Sequence, residues 1–272
     1  MYEYQAAPMT VVDGDLYQAI YPRAKIRRYA PEAGSYEELA EIGHDQNRPR
    51  SIHYHEPSGR LLVGTRPQYG KLGGVVATFD PSTDALVDVD RDVFPDQSVT
   101  ALTSVGDTVY VGSEIYGGGG SDPTTECATI GAWDPVERTL RWSADLPGVT
   151  ELISLAFLDG QLYGLTSGYS NLGERSETEL LSIDATSGSV ERLAELGTAR
   201  GGELRPCGDT LIGVTTNELF QYHPEADRVE VVLTDLDPTG NDWHNFPQVG
   251  VDGDGVIYVV GDRMLRRLDA LR

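Results

Sequence analysis

The sequence predicts an all-β fold, a β-propeller built from four-stranded blades, and six blades fit the chain best. Three observations carry this prediction: a glycine/aspartate turn repeatedly leads into a short aliphatic strand, an apolar residue beside a small polar one follows, and the spacing is regular. The opening turns are Asp13-Gly14, Ser58-Gly59, Gly106-Asp107, Asp159-Gly160, Gly208-Asp209 and Gly253-Asp254. The closing steps are Tyr29-Ala30-Pro31, Phe79-Asp80-Pro81, Trp133-Asp134-Pro135, Ile183-Asp184-Ala185, Tyr222-His223-Pro224 and Leu268-Asp269-Ala270. Successive closings lie roughly 40 to 55 residues apart, which is the period of propeller blades.

The strands of each blade follow from these landmarks. Every opening turn precedes an apolar run that is too short for a helix and rich in strand-forming residues, such as Val109-Tyr110-Val111. After each of the first five closings comes one more strand-like run, and these runs lie at 36–42, 85–89, 140–144, 190–193 and 229–233. Each of the first five repeats therefore has the material for a complete blade.

The last repeat lacks such a run, whereas residues 2–7 read as an extended segment before the first repeat. We expect this N-terminal strand to pair with the last blade and close the ring, because closure removes an exposed sheet edge. One propeller domain would then cover residues 1–272. A fragment of a seven-bladed ring is the alternative.

Charge excludes several classes of partner. The chain of 272 residues has a formal net charge of −22, and binding to phosphate backbones or anionic lipid requires clustered cations. We therefore expect no nucleic-acid partner and no membrane partner. A monomer is expected separately, not from the charge. No apolar stretch approaches the roughly 20 residues of a membrane helix, and the N-terminus does not resemble a signal peptide. A soluble protein is predicted, with secretion left open.

Three neighbouring repeats carry long connections between their middle strands. These connections span 66–74, 115–127 and 168–179, whereas tight turns at 216–217 and 261–262 serve the fifth and sixth repeats. Loops of this kind would build a wall over one side of the channel mouth, so a cleft is expected there. Their glycines allow a close approach to a ligand or simply turn corners, and both interpretations stay open. Arg66, Tyr69 and Glu126 add a cation, a phenol and a carboxylate.

Two segments carry a family resemblance. The segment GTRPQYGKLGG followed by an FDP step, and the segment YGGGGSDPTTE followed by a WDP step, resemble motifs of bacterial propeller proteins of PQQ-like or WD40-like type. They are also similar in style to propeller polysaccharide lyases that act on uronate-containing polymers. The resemblance covers mainly residues 46–147. It implies a carbohydrate-active protein whose chemistry uses His with Tyr or Arg, although such lyases are typically seven-bladed.

Candidate site residues follow from that chemistry. A histidine has a pKa near neutrality and can remove the proton α to a uronate carboxylate, while arginine neutralises the developing charge. The candidate acid/base residues are His53, His244 and Tyr69. The candidate substrate-binding residues are Arg50, Arg66, Arg200, Tyr116, Glu126 and Trp243. Each histidine taken alone is more often a structural hydrogen-bonding residue than a catalytic one.

The sequence motifs give little support for a bound cofactor or metal ion. The spacing of Asp235, Asp237, Gly240 and Asp242 resembles the start of a calcium loop, but Thr239 and Phe246 occupy positions where ligands are required. We expect no cofactor and no metal, with calcium as the alternative. The sequence contains no nucleophile elbow, phosphate loop or zinc motif.

Two hypotheses remain from the sequence. The first is a lyase acting by β-elimination on an acidic polysaccharide. The second is a non-catalytic propeller that binds a saccharide, a protein or another small ligand, including as an ancillary domain of a larger enzyme. An enzyme should gather His, Tyr and Arg within hydrogen-bond reach, whereas a binding module should present an aromatic platform or a flat face.

Overall fold

The computed structural model describes residues 8–91, 93–168, 176–199, 201–236, 247–261 and 264–269. The chain divides into two compact units, Met1–Glu151 and Leu152–Arg272. Both are built from antiparallel sheets whose strands follow one another in chain order. Two short 3-10 turns, Glu56–Ser58 and Pro224–Ala226, are the helical segments in the part of the chain that is described.

The first unit contains three four-stranded sheets, which we call blades one to three. Blade one consists of β1 (Met9–Val12), β2 (Asp15–Ile20), β3 (Lys25–Ala30) and β4 (Ser35–Glu41). Blade two consists of β5 (Gln46–His55), β6 (Arg60–Pro67), β7 (Val76–Asp80) and β8 (Ala85–Asp90). Blade three consists of β9 (Ser98–Val105), β10 (Thr108–Glu114), β11 (Thr129–Asp134) and β12 (Thr139–Asp145).

The second unit contains blades four to six. Blade four consists of β13 (Leu152–Leu158), β14 (Gln161–Thr166), β15 (Glu179–Ile183) and β16 (Val190–Glu195). Blade five consists of β17 (Gly202–Cys207), β18 (Thr210–Thr215), β19 (Leu219–His223) and β20 (Arg228–Leu233). Blade six has three strands among the described residues, β21 (Gln248–Val251), β22 (Ile257–Gly261) and β23 (Met264–Leu268).

The predicted all-β class and the six blades are confirmed. Each opening turn joins the first and second strands of a blade, and each closing step lies at the end of the third strand. The turn Asp13-Gly14 has positive φ at both residues, 51° and 87°, which gives the hairpin the type I′ twist that matches its strands. The extra runs predicted after the first five closings are the outer strands β4, β8, β12, β16 and β20.

The aspartate of the closing step has a structural role. The Asp134 carboxylate accepts hydrogen bonds from the backbone N–H groups of Val136 and Glu137 at 2.9 and 3.0 Å. Asp80 and Asp184 accept equivalent bonds from the residues two positions later. Hydrogen bonds from the side chains of Ser82, Arg141 and Thr186, together with these backbone bonds, lower the pKa of the Asp80, Asp134 and Asp184 carboxyls to about 2. The aspartate therefore fixes the turn into the outer strand, because its side chain replaces a backbone acceptor.

The core lies between neighbouring blades. In the first unit one cluster packs blade one against blade two, and another packs blade two against blade three around the fully buried Trp133. In the second unit, clusters centred on Phe220 and Ile257 join blades four, five and six. Burial of each large side chain contributes roughly 1.5–3 kcal/mol, so the sheets are held mainly by face-to-face packing.

Two expectations fall outside what the structure describes. The N-terminal strand at 2–7 lies outside the described residues, so closure of the ring by this segment stays a prediction. The single domain over 1–272 also stays a prediction.

Candidate functional site

Charged side chains converge at one end of the strands of the first unit. Arg48 and Arg50 lie near the start of β5, Arg66 lies near the end of β6, and Glu114 ends β10. Glu151 pairs with Glu114 through an isolated antiparallel bridge. We call these five residues the arginine cluster.

A β-bulge in β5 places its arginines. Arg48 is the cross-strand partner of Arg66, whereas Arg50 is the extra residue between the paired positions Pro49 and Ser51. A bulge changes the direction of the side chain that it inserts. Positions 48 and 50 would lie on one face of a regular strand, and the bulge changes the direction of Arg50 relative to Arg48.

Two of the arginines are fixed by buried carboxylates. Arg66 donates from Nε to Glu114 Oε1 at 2.5 Å and from Nη2 to Glu114 Oε2, which makes the pair bidentate. Arg50 donates from Nη2 to Glu151 Oε1. Glu114 is 0% and Glu151 5% exposed. Each of these pairs joins residues that are far apart in the sequence. The first connects blade two with the end of β10 in blade three, and the second connects blade two with Glu151, which follows blade three.

The pKa shifts follow from burial and pairing. Burial works against the charge of Arg66, but attraction and hydrogen bonding from Glu114 outweigh it and raise the pKa of the guanidinium. Burial raises the pKa of the Glu151 carboxyl, and the attraction of Arg50 opposes this shift while the Glu114 carboxylate adds to it. Removal of either partner would leave a charge in a poorly solvated site.

Arg48 differs from the other two arginines. No carboxylate in the described part of the chain forms an ion pair with it, and its guanidinium lies 4.9 Å from the centre of the Tyr21 ring. Burial, followed by repulsion from Arg66 and Arg50, lowers the pKa of the Arg48 guanidinium. Arginine nevertheless stays protonated. The cluster therefore carries one positive charge beyond those that its glutamates neutralise.

An exposed tyrosine lies beside this charge. Tyr69 is 65% exposed, and a side-chain hydrogen bond between Tyr69 and Tyr21 raises the pKa of the Tyr21 hydroxyl. Tyr69 also interacts electrostatically with Arg48. A phenol ring and a guanidinium are thus presented together at this end of the first unit.

The two glycine-rich connections of the first unit pack against each other through their backbones. Gly70 N donates to Gly119 O at 3.0 Å, and Gly118 N donates to Lys71 O at 2.9 Å. A Cβ placed on Gly118 would lie 1.8 Å from the carbonyl oxygen of Gln68. Glycine is required here for close packing of the two loops, which in turn holds the segment that carries Tyr69.

The remaining predicted residues of the first unit do not join the cluster's hydrogen bonds in the structure. Tyr116 is buried, and its carbonyl oxygen accepts a hydrogen bond from Ser98 Oγ at 2.6 Å. Glu126 is exposed on the connection after β10.

His53 lies at the other end of blade two. Its Nε2 is 2.7 Å from Ser104 Oγ, and its cross-strand partner is Leu62. Since β6 continues for five residues from Leu62 to its end at Pro67, His53 is separated from the region of Tyr69 by roughly 17 Å along the strand. The structure thus places Arg50 and Arg66 in one cluster, with Tyr69 beside its Arg48, whereas His53 lies away from it.

Other predicted site residues lie outside the described residues. These are His244, Trp243 and Arg200. The candidate calcium segment begins at Asp235, and its continuation from 237 to 246 is likewise outside them. Within the described ranges no group of three or more His, Cys, Asp or Glu side chains could hold a metal ion.

Sequence reasoning named Arg50 and Arg66 as candidate substrate-binding residues but missed Glu114, Glu151 and Tyr21. Glu114 had a signal, because it follows the apolar run Val109-Tyr110-Val111 in a strand expected to be buried, where a carboxylate requires a partner. Nothing in the sequence around Glu151 or Tyr21 indicated that they contact blade two.

A cavity of about 480 Å³ lies elsewhere in the first unit, next to the outer strands β8 and β12. It is lined by Val89, Asp90, Arg91, Val93, Trp133, Arg138, Thr139 and Leu140. None of the predicted site residues contributes to it. Arg138 forms ion pairs with Asp88 and Asp90 beside it.

Comparison with known proteins gives a likeness of fold. Neither protein-family models nor curated protein sequences match this chain. A solved extracellular domain of BT4673 from B. thetaiotaomicron, described as a hybrid two-component system, has a TM-score of 0.67 at 15% identity and covers 97% of this chain. Another structure of that domain, described as a one-component system, has a TM-score of 0.66 at 16% identity, also over 97%.

This chain spans about a third of those two chains, 31% and 32%. At such identities the likeness concerns the fold alone, and it agrees with the propeller class predicted from the repeats. In the described part of this chain, no helix has the length and apolar character needed to cross a membrane.

Proposed function

We propose that this protein is a non-catalytic propeller that binds a small carboxylate-bearing ligand, such as an acidic saccharide, at the arginine cluster of the first unit. The observation that carries the proposal is Arg48, a partly buried guanidinium without a carboxylate partner among the described residues. A buried charge is unfavourable unless an opposite charge compensates it. A bound carboxylate supplies that charge.

A binding role fits the site better than β-elimination. A lyase needs a proton acceptor within hydrogen-bond reach of the carbon next to the bound carboxylate. His53, the predicted base in blade two, interacts with Ser104 at the other end of the strands. Tyr69 is close to the arginines, but it is mostly exposed rather than enclosed. The motifs resemble those of PQQ-like or WD40-like propeller proteins, and the proposal uses this resemblance for nothing more than the propeller type.

The similar solved structures support an extracellular sensing role. Both are described as extracellular domains of a signalling system, and such domains need to recognise a ligand without converting it. Secretion or exposure on the cell surface fits this chain as part of the same proposal. Its net charge of −22 favours discrimination by the local cluster, because the rest of the surface repels anions.

Calorimetric titration of the full chain tests the proposal. Acidic mono- and oligosaccharides should release or absorb heat with a saturable 1:1 profile, whereas neutral sugars of equal size should not. The same mixtures are followed by ultraviolet absorbance, which detects unsaturated uronate products. Formation of such products at a rate proportional to the protein concentration would refute the non-catalytic role. If no anion binds, the proposal that the arginine cluster is a binding site is refuted.

A further inference from the structure

We infer that the ligand is a monoanion in which a single carboxylate is attached to a ring, with Arg48 binding the carboxylate and Tyr69 contacting the ring. This inference rests on the proposed function and specifies the charge and shape of its ligand.

The charge follows from the composition of the arginine cluster. Its members are three guanidinium groups and two carboxylates, and both carboxylates are already engaged by Arg66 and Arg50. One added negative charge neutralises the cluster. A second added charge would enter a site where the described residues offer no further cation without a carboxylate partner, while Glu114 and Glu151 would repel it. A monoanion is therefore favoured over a dianion such as a phosphate ester.

The position of Arg48 favours a planar anion. Its guanidinium carbon lies over the Tyr21 ring, 4.9 Å from the ring centre, which is a cation–π contact. The N–H bonds point outward in the guanidinium plane, where a carboxylate accepts two parallel hydrogen bonds. Arg50 and Arg66 repel the Arg48 guanidinium because all three are positively charged. The same positive charges attract an anion to this region.

The ring contact follows from Tyr69. Its ring atoms lie 3.1 and 3.2 Å from the position that a Cβ on Gly119 would occupy, so this glycine lets the backbone approach the tyrosine ring. At 65% exposure most of the phenol surface is open. An aromatic side chain with such an open surface offers apolar contact with a flat ring and low entropic cost, since few of its bonds rotate.

Sugar acids and aromatic acids share this chemistry, and four probes separate them. The full chain is titrated with glucuronate, benzoate, glucose 6-phosphate and glucose at constant ionic strength and at pH 7.5. We expect glucuronate or benzoate to bind at least about tenfold more tightly than glucose 6-phosphate, and glucose not to bind. The stronger of the two carboxylates identifies the kind of ring.

Arg48→Gln should weaken binding of the preferred carboxylate by about tenfold or more, since a charge-assisted bidentate contact is lost. Arg23→Gln is the matched control, because Arg23 is an exposed arginine of the same unit that pairs with Glu41 outside the cluster. It removes the same charge and should leave affinity unchanged. Tyr69→Ala should weaken binding more than Tyr69→Phe, which keeps the ring.

Glu151→Gln provides a second measurement that a purely structural role would not produce. It removes one negative charge from the cluster, so the preference should shift toward glucose 6-phosphate relative to the carboxylate. Far-ultraviolet circular dichroism of each variant verifies folding. If Glu151→Gln does not fold, the difference in ligand affinity between Arg48→Gln and Arg23→Gln tests the inference by itself.

The possible failures are distinguishable. Absence of binding by any anion overturns both the inference and the proposed function. Equal binding of glucose 6-phosphate and the carboxylate, or equal affinity of Arg48→Gln and Arg23→Gln, overturns the inference while a binding function at another place survives.

Discussion

Replacement of Gly118 by alanine tests whether the two glycine-rich connections of the first unit are held together by backbone packing. The added Cβ would lie 1.8 Å from the Gln68 carbonyl oxygen and 2.8 Å from the Tyr69 backbone nitrogen. Since both are backbone atoms, the loops must separate until the shortest distance reaches at least about 3.0 Å, below which Cβ contacts essentially never occur.

That separation breaks the two hydrogen bonds between the loops, from Gly70 to Gly119 and from Gly118 to Lys71. Each contributes about 0.5–1.5 kcal/mol, so the expected loss is about 2 kcal/mol in the free energy of unfolding. In a chain of this size the corresponding decrease in Tm is about 4–8 °C. Displacement of Tyr69 should also weaken ligand binding.

Differential scanning calorimetry measures the effect, and hydrogen exchange of the loop amides locates it. Gly253→Ala is the matched control, because no atom lies within 4 Å of the Cβ that it adds. Its Tm should change by no more than about 2 °C. The reasoning is refuted if Gly118→Ala and Gly253→Ala have the same Tm, since the loops would then yield without loss of contacts.

The remaining predictions concern the ion pairs, the acid range and the ring. Glu114→Gln should lower the free energy of unfolding by about 3–5 kcal/mol, because it leaves the Arg66 guanidinium buried without its counter-charge. Urea unfolding measures this loss. The control is Glu56→Gln at an exposed position, which should leave the free energy of unfolding nearly unchanged. The hydrogen bond from Arg141, together with backbone donors, lowers the pKa of Asp134 to about 2, below the usual value of about 3.9 in the unfolded chain. Its stabilising contribution is therefore complete above about pH 4 and is lost as the pH falls toward 2, so the difference in Tm between the natural protein and Asp134→Asn should narrow over that range; a constant difference would contradict it. Deletion of residues 1–8 should lower Tm substantially if the N-terminal segment completes the last blade, and an unchanged melting curve would exclude that closure.

Local sequence determined the blades because the features that define them are local. A glycine or aspartate with positive φ is needed for a tight hairpin turn, and an aspartate at the end of the third strand caps the next turn with its own carboxylate. Apolar runs between these landmarks must become buried strands. The number of blades, the order of the strands within each blade and the outer strands of the first five blades were predictable for this reason.

Tertiary structure decided the composition of the site. Arg66 and Glu114 are 48 positions apart, and Arg50 and Glu151 are 101 apart; no local pattern specifies such pairs. Because the two carboxylates pair with Arg66 and Arg50, Arg48 is the arginine of the cluster that is available to a ligand. The sequence did not distinguish Arg48 from the other two arginines. Likewise, the glycines of the long connections indicated close approach, but only the packing of the loops determined that each approaches the other's backbone. Side-chain partners depend on which blades become neighbours, and that is set by burial of the sheet faces rather than by the residues beside each charge.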